Sequence, residues 1–221
     1  LKIASSEVTN LPFLQYIGAR RKGVILSTGA STLEEVGGAV ETLLHAGCPE
    51  LALLHCVSSY PAPPDQINLR AMEPLRREFG LPVGFSDHTT GIEVAIAAAA
   101  LGAVAIEKHF TLDQNMPGPD HRASVEPDEL AALVRGVKIA NIALGSDIKR
   151  PSACELPNLD LIRKSLVAAV NLKKGTRLTR QMIEIKRPRG GIEPKDLDRV
   201  VGRALARDVE EDAPLTWDDF A

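Results

Sequence analysis

PVGFSDHTTGIEVAIAAAALGAVAIEKHF, residues Pro82–Phe110, carries the repeating unit from which the fold can be read. Two short apolar runs, Pro82–Phe85 and Ala103–Ile106, each close on polar residues, and an alanine-rich segment over Ile92–Leu101 lies between them. Brief uncharged runs of this kind read as strands buried on both faces of a parallel sheet. The segment between them reads as the crossover helix that parallel strands require. Similar runs occur upstream at Leu1–Ala4, Val24–Leu26 and Leu51–Leu54. Helical segments are expected over Leu11–Arg21, Leu69–Phe79 and Pro127–Leu144, with another opening at Ser31-Thr32-Leu33-Glu34. There Ser31 and Glu34 have the spacing of a capping box, each able to satisfy a free amide of the first turn.

Strand and helix in alternation imply right-handed βαβ units, hence a doubly wound sheet or a (β/α)8 barrel. A barrel needs eight units and about 250 residues; five units are visible, and the first strand begins at residue 1 without a methionine. The expectation is therefore a partial (β/α)8 TIM barrel, its last five βα units present and its first three missing. The doubly wound alternative lacks a Gly-rich phosphate loop after any strand. As an open sheet with two free edges, the 221 residues alone are expected to be inactive and poorly soluble. Residues 1–146 are read as the barrel portion, 147–160 as a linker with two prolines, and 161–221 as a small β-rich domain. Short strands are expected there at Ser165–Val170, Met182–Lys186 and Val200–Ala206, with a short helix near Lys195–Val200. So small a domain is expected to pack against something else.

Composition excludes several function classes. With 26 Lys+Arg against 29 Asp+Glu the net charge is −3, which lacks the basic excess of a general nucleic-acid binder. The uncharged apolar stretch Val94–Ile106 is too short to span a bilayer, and nothing at the start of the sequence resembles a signal peptide. Three cysteines, Cys48, Cys56 and Cys154, have no metal-type spacing and cannot all pair, so a cytoplasmic location is expected.

The function question turns on the strand ends, where active sites of such folds lie. They carry Ser5, Ser6 and Glu7; Ser27 and Thr28; His55, Ser58, Ser59 and Tyr60; Ser86, Asp87 and His88; and Glu107, Lys108 and His109. Residues two apart share a face of a strand, which puts Ser86 with His88 and Glu107 with His109. On neighbouring strands the two imidazoles would reach one point and suit Mn²⁺ or a similar ion; hydrogen-bonded core histidines are the alternative. Lys2, Ser5, Ser27, Ser58 and Ser86 could ring a phosphate, although each serine alone fits a cap or turn. Glu7 is a candidate base. Pro117-Gly118-Pro119-Asp120 is a rigid turn that could hold Asp120 over the site. His45, on a helix end, and His55, inside an apolar strand, read as structural.

With those residues in hand, the chain resembles the sialic acid (N-acetylneuraminate) synthase family. The matching stretches are KIASSEVTNLP (Lys2–Pro12), ILSTGAS (Ile25–Ser31), LLHCVSSYPAP (Leu53–Pro63), GFSDHT (Gly84–Thr89), IEKHFTLD (Ile106–Asp113) and PGPDH (Pro117–His121). The C-terminal segment, with SLVAAVNLKKGTRLTRQMIEIKRP and DLDRVVGRALARDVEEDAPLTWDDF, is similar to the antifreeze-like (SAF) domain. The resemblance implies condensation of phosphoenolpyruvate with an N-acetylated amino sugar, such as N-acetylmannosamine or a legionaminate or pseudaminate precursor. The product would be a nine-carbon 2-keto acid, with release of phosphate. It further implies that His88 and His109 ligate Mn²⁺ or Mg²⁺, and that Lys2, Ser5, Ser27, Ser58 and Ser86 hold phosphoenolpyruvate. Glu7 would position or deprotonate the attacking water, and Tyr60 and Asp120 would bind the open-chain sugar. In a domain-swapped homodimer, Arg187 of the KRP segment would reach the partner's sugar. Three positions depart from the family pattern: Ser58 where some members have asparagine, Arg189 where glycine often follows, and Leu161 where some offer an aromatic. Two alternative readings stand beside it: a different metal-dependent barrel enzyme, such as a hydrolase using the same two histidines, and a non-catalytic fragment or oligomerisation module.

Overall fold

The computed structural model describes residues 1–220, which divide into two compact units, Leu1–Ser146 and Asp147–Ala221. In the first, five parallel strands lie in the order of the chain: β1 (Lys2–Ile3), β2 (Val24–Ser27), β3 (Leu51–Cys56), β4 (Val83–Asp87) and β5 (Ile106–Lys108). Helices α1 (Leu11–Gly18), α2 (Leu33–His45), α3 (Met72–Phe79) and α4 (Glu93–Ala100) connect them, and α5 (Pro127–Leu144) follows β5. The sheet is curled and open, a partial barrel. Its curl is visible in one contact: the Lys2 ammonium of β1 sits 3.4 Å from the Glu107 carboxylate of β5. In a flat sheet those edge strands would be about 19 Å apart, a gap the two side chains cannot close.

Register assigns each side chain to a face. Ile3, Leu26, Leu53 and Val83 form one cross-strand row, and His55, Phe85 and Ile106 another, both on the helix side. Against them α2 lays Val36, Ala39, Val40 and Leu43, a helical stripe of buried positions. The alternate face holds Ile25, Ala52, Leu54, Gly84, Cys56, Ser86 and Glu107. Gly84 is dictated by space, since a methyl there would lie 2.5 Å from the Ala105 carbonyl oxygen and 2.6 Å from Leu54.

Several local expectations shift. The cap of α2 is Thr32, not Ser31: Thr32 Oγ1 accepts from the Glu35 amide, and the Glu35 carboxylate accepts from the Thr32 amide at 2.7 Å. Ser31 donates instead to the Gly29 carbonyl. The last strand of the sheet begins at Ile106 rather than Ala103, because the turn after α4 continues through Gly102 at φ +84° and ties the Ala103 amide to the Ala98 carbonyl. The segment Leu69–Phe79 splits into a 3-10 turn at Leu69–Ala71 and α3, and α1 stops at Gly18.

The second unit is described by itself. It opens with a 3-10 turn at Leu156–Asn158 and α6 (Leu159–Ile162), then pairs β6 (Ser165–Ala168) antiparallel with β7 (Ile183–Lys186). A core of Leu166, Leu178, Ile183, Ile192, Val200, Leu205 and Leu215 fills it. Val200–Ala206 is not a strand: α7 (Leu197–Val200) runs into Gly202 at φ +85°, and only single bridges, Arg177 to Ala204 and Leu205 to Phe220, follow. Among the described residues no helix is long and apolar enough to cross a membrane.

Thr32→Ala is expected to cost about 1 kcal/mol of stability in a denaturant titration, whereas Ser31→Ala leaves the midpoint nearly unchanged. Equal losses for the two would contradict the assigned cap.

Candidate functional site

The carboxyl ends of the five strands build one polar rim. Cys56, Ser86 and Glu107 stand directly opposite one another on β3, β4 and β5. Ser86, 2% exposed, donates to Glu107 Oε1 at 2.7 Å. Lys2 donates to the buried Ser27 Oγ at 2.8 Å and approaches the same Glu107 oxygen. Ser27, Lys2, Glu107 and Ser86 thus form a continuous chain across the curled sheet.

Beside this chain is a small cradle around Gly29, in the loop after β2. β1 ends at Ile3 and a 3-10 turn at Ser5–Glu7 follows, which turns Ser5 inward. Ser5 Oγ accepts from the Gly29 amide at 2.9 Å and touches Cys56 Sγ at 3.2 Å. A methyl on Gly29 would collide with Ser58 Oγ and lie 2.9 Å from both Cys56 Sγ and Ser5 Oγ. The loop therefore brings backbone amide, two hydroxyls and a thiol to one spot.

The two histidines follow β4 and β5 by one residue each, and they meet. Their ring centroids are 5.3 Å apart, and Tyr60 lies 4.2 Å from His88 and 5.5 Å from His109. His88 Nδ1 is 2.8 Å from the Val57 carbonyl. A carbonyl can only accept, so Nδ1 carries the proton and Nε2 presents its lone pair. Burial, and secondarily the neighbouring His109, hold the His88 pKa below its ordinary 6.5, against the opposing pull of the Val57 hydrogen bond. Burial raises the Tyr60 phenol, helped by Cys56, Asp120 and Glu107, so it remains a donor at neutral pH. Asp120 Oδ2 is 3.9 Å from His109 Nδ1. Its loop is tied down by Thr111 Oγ1 to His121 Nδ1 at 2.7 Å and by Gln114 to Glu126 and Glu129.

Not every candidate joins this group. Glu7 is half-buried and accepts from Asn10 at 2.7 Å. Arg187 lies in the second unit, exposed and directly after β7. His45 is exposed on the last turn of α2, and His55 Nε2 bonds the Ile67 carbonyl on the helix side of β3. Two rim residues escape a strand-by-strand search. Glu107 reads as the i−2 companion of His109 but proves to be the hub of the Lys2–Ser86 chain. Cys56 reads only as a thiol without metal-type spacing and proves to border the Gly29 cradle. Only cross-strand register could have revealed either.

A neutral imidazole with a fixed tautomer, its partner ring alongside and a carboxylate near the second ring, is a donor set that suits a divalent ion. Among the described residues no three His, Cys, Asp or Glu side chains gather as a metal cluster.

Comparison with known proteins follows the same division. A profile of the NeuB family matches residues 1–149, and one of the SAF domain matches residues 163–221. The chain is 45% identical over 213 residues to the N,N'-diacetyllegionaminic acid synthase of Campylobacter jejuni, covering 96% of this chain and 64% of that protein. To the protein of the same name from Legionella pneumophila it is 42% identical over 222 residues, covering 99% and 62%. It superposes on the crystal structure of the N-acetylneuraminic acid (sialic acid) synthetase of Leptospira borgpetersenii in complex with citrate. That match has a TM-score of 0.66 and 38% identity over 72% of this chain and 55% of the other. The chain thus spans less than two thirds of the length of these curated relatives.

A histidine with a depressed folded-state pKa contributes stability that is present above pH 6.5 and lost as pH falls, because the unfolded chain then takes up a proton that the folded one resists. In metal-free protein the His88 imidazole is expected to remain neutral at pH 6.5, read by NMR titration. His88→Gln is expected to flatten the loss of stability below that pH; a His88 titration midpoint above 6.5 contradicts the assignment.

Proposed function

The chain belongs to the NeuB family and carries an SAF domain, and from that premise we propose that it takes part in condensing phosphoenolpyruvate with an N-acylated amino sugar. The products are a nine-carbon 2-keto sugar acid and phosphate. The observation that carries this reading is the meeting of His88 and His109 just past β4 and β5, strands whose Ser86 and Glu107 are linked through Lys2 to Ser27. Lys2, Ser27, Ser86 and the Gly29 cradle with Ser5 and Ser58 supply an ammonium, hydroxyls and an amide suited to phosphate and carboxylate oxygens. His88 and His109 would hold the divalent ion that this family generally uses, Mn²⁺ or Mg²⁺. When bound, such an ion polarises a carbonyl as a Lewis acid.

Substrate C3 bonds to the sugar aldehyde carbon as the carbonyl π pair moves to the aldehyde oxygen, which takes up a proton, leaving positive charge at C2. Water adds to C2 and gives up a proton, for which Glu7 is the proposed base. The C2–O–phosphate bond of the tetrahedral intermediate then breaks, releasing phosphate and leaving the ketone. Tyr60, kept protonated by its burial, would donate to the sugar, and Asp120 would accept from its hydroxyls. Holding two substrates at one rim supplies much of the acceleration through orientation. In a homodimer that exchanges second units, Arg187 would reach the sugar of the neighbouring copy. Because both relatives described above make a product with two acetamido groups, a diacetamido hexose is the first sugar to offer, with N-acetylmannosamine beside it.

Any phosphate release by the purified protein is expected to require phosphoenolpyruvate, an N-acylated amino sugar and Mn²⁺ together. Lys2→Met is expected to lower kcat/KM for phosphoenolpyruvate by roughly 10- to 100-fold, the worth of one charge-assisted hydrogen bond. Phosphate release without the sugar, or without formation of the keto acid, would reject the synthase reading in favour of a hydrolase.

A further inference from the structure

Behind the histidine pair, on the helix side of the same strands, lies an ion pair with no part in the chemistry above. Lys108 Nζ sits 2.8 Å from Asp87 Oδ2, and both side chains are almost wholly buried, 2% and 0% exposed. The two residues are cross-strand partners on β4 and β5. Each immediately precedes a histidine in the chain, so alternation sends Asp87 and Lys108 to one face and His88 and His109 to the other.

The pair does more than neutralise itself. Asp87 Oδ1 accepts from the Thr89 amide at 2.9 Å and from the Thr89 hydroxyl at 2.8 Å, and Lys108 Nζ donates to the Thr89 carbonyl at 2.7 Å. Aspartate and lysine together therefore grip the backbone on the far side of His88 through both polar groups of Thr89. A buried ion pair adds little net stability over well-packed apolar residues, while it fixes geometry closely.

We propose that Asp87 and Lys108 are positioning residues, which lock the β4–β5 register and the His88–Thr89 backbone so that the two imidazoles converge. The proposal rests on the reading of His88 and His109 as cation ligands. Its test uses the full chain in three variants. Lys108→Met removes the ammonium, and Asp87→Asn/Lys108→Met removes both charges without stranding a carboxylate. Val83→Ala, at the other end of β4, controls for destabilisation alone.

Mn²⁺ binding, followed by loss of the free-ion signal in electron paramagnetic resonance, is expected to weaken at least tenfold in both pair variants and less than twofold in Val83→Ala. In metal-free protein, nitrogen-15 imidazole spectra are expected to show a single Nδ1–H tautomer of His88 in the parent and in Val83→Ala, and a mixture in the pair variants. Pair variants whose His88 tautomer stays single overturn the proposal, whatever the metal does. If the parent protein takes up no Mn²⁺, the cation reading falls by itself, and the tautomer comparison still decides the positioning role.

Discussion

The parallel register between β4 and β5 is the constraint on which the rim depends. Ser86 opposite Glu107 and Asp87 opposite Lys108 are consecutive rungs of one ladder, and consecutive rungs point to opposite faces. A slip of β5 by one residue would turn Lys108 toward the rim, away from Asp87, and drive Glu107 into the helix layer. The register is held by hydrophobic pattern below, where Val83 and Phe85 are fully buried, and by the ion pair above. Gly84 lets β5 and Leu54 close in on β4 at the middle of this stretch.

Polar groups at the end of a buried sheet cost desolvation unless each finds a partner. Here they do: among the described residues no buried side-chain nitrogen or oxygen lacks one. Along the rim the partners are one another, across strands. Ser86 answers Glu107, Glu107 answers Lys2, and Lys2 answers Ser27. Such a chain is satisfied without ligand, so an incoming anion must exchange bonds with it instead of filling an unsatisfied site. The half-exposed Lys2–Glu107 contact is the weakest link, being open to solvent screening, and it is where exchange costs least.

Much of this was legible in the sequence, for definite reasons. Parallel strands buried on both faces leave apolar runs, and crossover helices leave gaps of regular length, so the βα units of residues 1–146 stand out. The two histidines were found because each sits two residues beyond a polar strand residue. What escaped was whatever depends on a neighbour far along the chain. The cap of α2 moved by one because Ser31 and Thr32 both suit the position, and only backbone geometry chooses between them. In the second unit, beyond the β6–β7 pair, single bridges replace ladders, so little period of two develops, and Gly202 interrupts the run Val200–Ala206. Glu107 and Cys56 required the cross-strand partners that no local window contains.

Charge sets the last requirement. Phosphoenolpyruvate carries a carboxylate and a phosphate, yet the rim offers a single ammonium, Lys2, already shared with Glu107. Asp120 adds negative charge beside His109. His88 does not redress the balance as an imidazolium ion: burial and the neighbouring His109 favour its neutral form, and its tautomer leaves a lone pair, not a proton, at Nε2. Lowering the pKa of a buried imidazole sacrifices one positive charge and gains a ligand for a doubly charged ion. On this view the positive charge that an anionic substrate needs enters with the cation and with basic groups from outside the strand ends, and the protein's investment at residues 88 and 109 lies in geometry.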